Sequence, residues 1–368
     1  MARRTPQSRY PIKVTEDAFA EDNATFQEVL AALGAAGRPK VALVADSSVV
    51  HQTERLGVKI GAYLQSRGVI LAAKPVIVQA GEKGKMDKSP GVAAIANALV
   101  DARVGANDVV VILGGGTVLD MAGYAAAQVR GGLRVLRMPT TPAAMIDAAF
   151  ASNAALNGPQ DKDVFRVKCE PAAVVVDTLF ARTVLDGVWR AGFGEAVRYA
   201  AVGDGKLMKR LAACADAYRD RDYETLREVV SACVASRAGA PTPPFALWCA
   251  ARLESMSGYK LPHGYAVAIA ACIDCAYAAQ KGCMDAADRQ LVCTALAASG
   301  SLEGIRHSQH ILTRTEDIVR GLDGWALETG SPSIPLPGAL GTSVEEPLPD
   351  RDAYMKVIAD FMAASHGR

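Results

Sequence analysis

The 368 residues exceed the usual size of one hydrophobic core, so two domains are expected. Half of them are hydrophobic and 21% are charged, the balance of a well-packed soluble globule. A net charge of +1 argues against a nucleic-acid or membrane-surface role driven by bulk electrostatics.

Residues 1–10 carry Arg3, Arg4 and Arg9 but no apolar stretch, so no secretory signal is expected there. Short β-branched runs then alternate with helical stretches, the pattern of a parallel sheet with crossover helices. In chain order the expectation is helix Thr25–Ala35, strand Val41–Ala45, helix Val49–Ser66, strand Pro75–Gln79 and helix Pro90–Ala102. Strand Val109–Leu113, helix Leu119–Val129 and strands Val135–Met138 and Ala173–Asp177 follow. After about Thr183 strand-like runs largely vanish, and Trp189 to Ser299 reads as a succession of helices. Its most apolar part, Tyr265 to Ala279, is interrupted by Asp274 and is too short to span a bilayer. Gly330 to Pro349, rich in proline, serine and glycine, is expected to be an irregular surface excursion, and a helix at Arg351–Ala364 to follow. The fold class is therefore a Rossmann-like α/β domain with a parallel sheet over residues 1–183, then an all-α domain over 184–368. A small-molecule cleft is expected at their junction, with the glycine-lined sheet edge facing the helical half.

The eight cysteines show no disulfide-scaffold spacing and read as reduced thiols of a cytoplasmic protein. Cys272 and Cys275 form a Cys-x-x-Cys pair, but within a helical apolar segment, where core packing is the expectation.

Polar groups gather where the strands end. Val109–Leu113 runs into Gly114-Gly115-Gly116-Thr117, and a helix opens at Val118. Such a turn lets the backbone approach a pyrophosphate, and the helix N-terminus supplies free N–H donors. Asp46 ends the first expected strand, where a carboxylate suits a ribose diol. Gly81-Glu82-Lys83-Gly84-Lys85 follows the second, and Pro139-Thr140-Thr141 ends the fourth.

These segments resemble the dehydroquinate synthase-like sugar phosphate cyclases, in order over roughly residues 40 to 285. The resemblance rests on Gly81-Glu82-x-x-Lys85, on Gly114-Gly115-Gly116 with Asp120 and Gly123-Tyr124-Ala125, on Pro139-Thr140-Thr141 with Asp147, and on Asn157-x-Pro159. It continues through Gly192-x-x-Glu195-Ala196-Val197, Leu253-Glu254 and His263-Gly264-x-Ala266-Val267. The phrasing around Trp189 and Tyr259 is most similar to a divergent dehydroquinate-synthase-like branch of a bacterial operon.

The resemblance implies bound NAD, a divalent metal such as zinc, a sugar phosphate substrate and a homodimer. It implies phosphate elimination followed by an intramolecular aldol closure. It puts Asp46, Glu82, Lys85, Gly115, Gly116, Asp120, Thr140, Thr141, Lys162, Phe180 and Thr183 on NAD-contacting positions. Asp147, Glu195, Arg198 and His263 fall on catalytic positions, Glu195 and His263 also on metal-ligand ones.

The pattern is broken in places. The third ligand position of the family reads Ala251, with Cys249 nearby as a conceivable substitute; His307 and His310 share a helical face and are expected to be solvated. Lysine positions read Asn153 and Arg198, an asparagine reads Asp163, and a glutamate reads Tyr265. Pro241-Thr242-Pro243-Pro244-Phe245 replaces a polar segment, and Arg130 lies one position off the phosphate arginine. Three readings stay open: a cyclase with a partly degraded metal site, a non-catalytic NAD- or metabolite-binding relative, and a polyol or glycerol-phosphate dehydrogenase.

Overall fold

Runs of β-branched residues buried on both faces form the centre of a parallel sheet. The computed structural model describes residues 10–33, 40–159, 161–237 and 243–365, without the side chains of His307 and Ser365. Arg3, Arg4, Arg9, Pro241, Thr242 and the end of the expected helix Thr25–Ala35 lie outside the described residues. The rest divides into two compact units, residues 10–159 with 163–185, and residues 161–162 with 186–365.

The sheet unit contains β1 (Ile12–Thr15), β2 (Lys40–Asp46), β3 (Ile70–Leu71), β4 (Val76–Val78), β5 (Val109–Gly114), β6 (Arg134–Pro139), β7 (Asn153–Leu156), β8 (Phe165–Lys168) and β9 (Ala173–Asp177). Its helices are α1 (Thr25–Ala32), α2 (Ser47–Gln52), α3 (Leu56–Ser66), α4 (Pro90–Asp101), α5 (Gly116–Gln128) and α6 (Pro142–Ile146). The main sheet runs β1-β9-β6-β5-β2-β3, with β4 also on β2, and every pairing in it is parallel. β7 and β8 form a separate antiparallel ribbon. Every residue of β5 and β9 is buried. Buried Arg137 on β6 donates through its two terminal nitrogens to backbone carbonyls, to Ala151 at 2.7 Å and to Cys169 at 2.7 Å, while its Nε has no partner.

One expected helix breaks in two. Val49–Ser66 becomes α2 and α3, because Arg55 between them adopts a left-handed backbone (φ +53°). No glycine or proline marks the break, so periodicity alone reads straight through it.

The helical unit contains α7 (Asp186–Gly203), α8 (Gly205–Arg219), α9 (Tyr223–Arg237), α10 (Leu247–Met256), α11 (His263–Gln280), α12 (Ala286–Ala298), α13 (Ile305–Leu312), α14 (Thr315–Val319) and α15 (Gly321–Thr329). It ends with β10 (Ile334–Pro337), β11 (Ser343–Glu346) and α16 (Arg351–Ser365). The hairpin corrects the expectation of an irregular surface excursion over Gly330–Pro349. All four residues of β10 are buried, and they pair antiparallel with β11. Pro335 and Pro337 hid the strand, yet a two-stranded ribbon has outward backbone positions where proline breaks no ladder bond.

α11 crosses the middle of this unit, with fourteen of its residues buried. No helix among the described residues is long and apolar enough to cross a membrane. Cys272 and Cys275 are buried on α11, and their thiols stand well above the usual range. Asp274 of α11 is fully buried too; its Oδ1 accepts from Trp248 Nε1 at 3.2 Å and from the Tyr354 hydroxyl at 2.9 Å. The Tyr354 ring stacks on Tyr277, centroids 3.8 Å apart, so this carboxylate ties α10, α11 and α16 together.

Candidate active site

The glycine turn has a steric cause. A Cβ on Gly114 would stand 2.6 Å from the Val118 side chain, and one on Gly115 3.1 Å from Thr141 Cγ2. α5 opens at this turn with Gly115 as N-cap and no side-chain cap on its first amides. Asp46 at the end of β2 caps α2 instead, accepting from Ser48 N at 2.8 Å, and burial raises its pKa although the Ser48 and Gly115 amides oppose the rise. Thr141 caps α6 through Ala144 N at 3.4 Å, while the buried Thr140 hydroxyl has no hydrogen-bond partner. Gly116 begins α5, and a Cβ there would sit 3.5 Å from Ala148.

Behind the turn lies a buried ionic knot. Lys85 pairs with Asp120 at 2.6 Å and with Asp163 at 2.5 Å. Burial alone would discharge this amine, but the two carboxylates outweigh it and hold Lys85 well above its ordinary range. Asp120 is raised by burial and by Asp163 against the pull of Lys85. Glu82 accepts from Asn157 Nδ2 at 2.7 Å, fixing the Asn157 turn. The extra anion at Asp163 thus shares Lys85 with Asp120. Phe180 is buried in the turn after β9, and the Thr183 hydroxyl donates to its carbonyl at 3.1 Å. Asp147 ends α6 in the same unit. Arg130 donates through Nε to the Val104 carbonyl at 3.1 Å.

The helical unit brings Glu195, Arg198 and His263 together and adds two residues not expected there. Arg198, one turn after Glu195 on α7, donates Nε to its Oε2 at 2.8 Å. His263 opens α11; its Nε2 lies 2.9 Å from Glu195 Oε1 and its Nδ1 2.7 Å from Glu254 Oε1. Lys162 pairs with the other oxygen of Glu254 and sits 3.1 Å from His263 Nδ1. Glu195 and Glu254 are fully buried, whereas the His263 side chain keeps 35% of its exposure. Glu195 Oε1 accepts no hydrogen bond of good angle despite the close imidazole.

Opposing charges decide the protonation states here. Burial raises Glu195 and Glu254, yet Arg198 and His263 hold the first, and Lys162 and His263 the second, below the usual carboxylate range. Desolvation and Lys162 work against a charged His263, but Glu254 and Glu195 prevail and push it up to about 10. The two carboxylates thus favour the charged form of the His263 ring.

A family model described as 3-dehydroquinate synthase N-terminal matches residues 75–190. A 3-dehydroquinate synthase of Rhodopseudomonas palustris (strain TIE-1) is 30% identical over 296 residues, 74% of each chain. The chain belongs to the 3-dehydroquinate synthase family. Its fold is shared by a 2-epi-5-epi-valiolone synthase from Streptomyces hygroscopicus subsp. jinggangensis 5008, solved with NAD+ and Zn2+ bound. That structure superposes with a TM-score of 0.83 at 19% identity, covering 99% of both chains. A 2-deoxy-scyllo-inosose synthase complexed with carbaglucose-6-phosphate, NAD+ and Co2+ gives a TM-score of 0.77 at 15% identity, covering 97% of this chain and 99% of that one.

Within this family the metal-ligand set of the present chain is incomplete. Zinc ordinarily takes three protein donors. Here Glu195 Oε2 is held by Arg198, and the position on α10 one turn before Glu254 is the methyl of Ala251. Cys249 does not substitute. It is buried near Asp274, and burial lifts its thiol well above the usual range. Among the described residues no group of three His, Cys, Asp or Glu side chains is arranged to hold a metal ion. The residues present do not fit a zinc ion. His310 is exposed, as expected.

Two members of the cluster escaped the catalytic assignment. Lys162 was expected at the cofactor, yet its amine lies with Glu254 and His263. Glu254 carried only a motif resemblance; the signal available was an acid in an apolar helical stretch, which once buried requires a cationic partner.

Proposed function

We propose that this protein is an NAD-dependent sugar phosphate cyclase that eliminates phosphate and closes a carbocycle without a tightly held metal. The pairing of Glu195 with His263 between α7 and α11 carries the reading, because it brings two of the family's catalytic positions together beside two further cations, Arg198 and Lys162. The glycine turn and the unpartnered Thr140 hydroxyl support a dinucleotide at the sheet edge, with the first amides of α5 for its phosphates. The chemistry supplied by the dinucleotide when bound is a reversible oxidation of one substrate hydroxyl, which acidifies the neighbouring proton. The chain's own groups do the rest. Lys162, Arg198 and the charged form of the His263 ring face two carboxylates, an excess of one positive charge that suits an oxyanion. The proton on His263 Nε2 is the one placed to protonate a departing or enolic oxygen.

A second reading, an NAD- or metabolite-binding relative without turnover, is favoured by the methyl of Ala251 at a ligand position. Phosphate release from a panel of heptulose and hexose phosphates separates the two, with NAD assayed after denaturation. Release that survives EDTA is the expected result. Silence across the panel by protein that retains NAD would sink the cyclase and leave the second reading. Steady NADH from a polyol would point to the dehydrogenase instead.

The metal part has its own test. Purified wild-type protein dialysed against zinc should hold far less than one ion per chain by atomic emission. Ala251→His adds a donor on the Glu254 face of α10 and should raise that content towards one. Stoichiometric zinc in the wild type would overturn the metal-free reading.

A further inference from the structure

The Cys272-x-x-Cys275 pair is buried on α11 and has no task in the site. It does not close on itself. Residues three apart on a helix hold their Cβ atoms about 5–6 Å apart, whereas a disulfide needs about 3.5–4.5 Å. Across the neighbouring helix the geometry is better. α12 follows α11 after a short turn and packs back on it as an antiparallel hairpin. Cys272 lies eight residues before the end of α11, and Cys293 seven residues after the start of α12. At about 1.5 Å per residue the two stand at nearly the same height above the turn. The Cys272 side chain hydrogen-bonds that of Cys293. Helices packed about 8–10 Å apart, each with a Cα radius of about 2.3 Å, bring facing Cα atoms to about 3.5–5.5 Å, which overlaps the disulfide range of about 4.4–6.8 Å. Exposure divides the roles. Cys272 is 2% exposed and Cys293 half-buried, so Cys293 is the one a dissolved oxidant reaches.

We propose that Cys272 and Cys293 form a reversible oxidation site, in which a hydroperoxide oxidises Cys293 and Cys272 closes an interhelical disulfide on it. Hydrogen peroxide first transfers one oxygen to the Cys293 thiol, giving a sulfenic acid and one water. The Cys272 sulfur then attacks the oxidised sulfur; the S–S bond forms, the S–O bond breaks, and the hydroxyl leaves with the Cys272 proton as a second water. The hydrogen bond to Cys293 and burial hold the Cys272 thiol well above its usual range, so it is a poor nucleophile towards anything in solution. Nearness to Cys293 makes up for that in the second step. The bridge pins α12 to the middle of α11, the helix that opens with His263, and touches no residue of the site itself. The proposal is independent of the cyclase reading, and its failure would leave that reading as it stands.

The test is mass spectrometry of the full chain treated with hydrogen peroxide, its remaining thiols blocked under denaturant before digestion. Cleavage ahead of Asp274 separates Cys272 from Cys275, so the wild-type map alone identifies the partner of Cys293. A peptide pair joined through Cys272 and Cys293 is expected, two mass units below the sum of the thiols. Closing a loop of about 20 residues should raise the melting temperature by roughly 5 °C, and dithiothreitol should reverse both changes. Cys275→Ser should keep the bridge. Cys272→Ser should leave Cys293 as a sulfenic acid that dimedone traps, and Cys293→Ser should leave Cys272 a thiol. A bridge from Cys293 to Cys275 or Cys283 would overturn the proposal. So would Cys293 passing to the sulfinic acid in the wild type while Cys272 stays reduced, or no oxidation of either residue. Should a variant fail to fold, the wild-type map still decides.

Discussion

Alanine at Gly264 should force α7 and α11 apart and lower the melting temperature by roughly 6–12 °C. A Cβ on Gly264 would stand 1.9 Å from the Ala191 carbonyl oxygen, and one on Gly194 2.4 Å from the Gly264 carbonyl oxygen. Both obstacles are backbone, so no side-chain rotation relieves them. Overpacking of this kind costs about 3 kcal/mol or more where the neighbour cannot yield. The two glycines are the immediate neighbours of the site residues, Gly194 before Glu195 and Gly264 after His263. Their bare backbones are what let Nε2 and Oε1 approach to 2.9 Å. Calorimetric melts of Gly264→Ala check the first part, and NMR signals of the His263 ring check the second. Gly61→Ala is the control: nothing lies within 4 Å of its added methyl, and α3 should gain slightly from the better helix former. A Gly264→Ala protein that melts with the wild type would mean the helices do not cross this closely.

Asp274→Asn should make the protein more stable at pH 8 and remove a pH dependence that the wild type shows between about pH 4 and pH 7. Burial pushes the Asp274 carboxyl up to about 7 from an ordinary 3.8, against the hydrogen bonds from Tyr354 and Trp248. A raised acid binds its proton more tightly when folded. Its stabilising contribution is complete below the unfolded pKa and is lost as pH rises through the folded one. The loss integrates to a few kcal/mol, on the order of 4 at most. Asparagine keeps an oxygen for Trp248 and Tyr354 and carries no charge to desolvate. Denaturant midpoints across that pH range measure the effect. A wild-type curve that rises from pH 5 to pH 8 with no gain from Asp274→Asn would refute the assignment.

Where the fold could be read, burial on both faces made it legible. Val109–Leu113 and Ala173–Asp177 are built on the β-branched runs Val109–Ile112 and Val174–Val176, because both sides of these strands are covered. The edge elements gave no such signal. β1 is only partly buried and joins the sheet through β9, far along the chain, while β3 is two residues long. Pairing of that kind is set by tertiary context rather than by local preference. The same limit applied to the site. Glu195 and His263 stood out because flanking residues carried a family pattern, yet nothing local to Glu254 or Lys162 told of their meeting. Lys162 and Glu254 are 92 residues apart in the chain. Asp163 shows the converse: noted in the sequence only as a replaced asparagine, it meets Lys85, which comes from 78 residues earlier.

The buried strand β10 also bears on how the protein is made. Ile334 to Pro337 pack against α11, the helix that starts with His263, and against α7, which carries Glu195. During synthesis both helices leave the ribosome well before the strand that covers them. Until it arrives, apolar surface on the central helix stays open to solvent. Nascent chains stalled before residue 334 should therefore be a substrate for chaperones, and release should come with the hairpin.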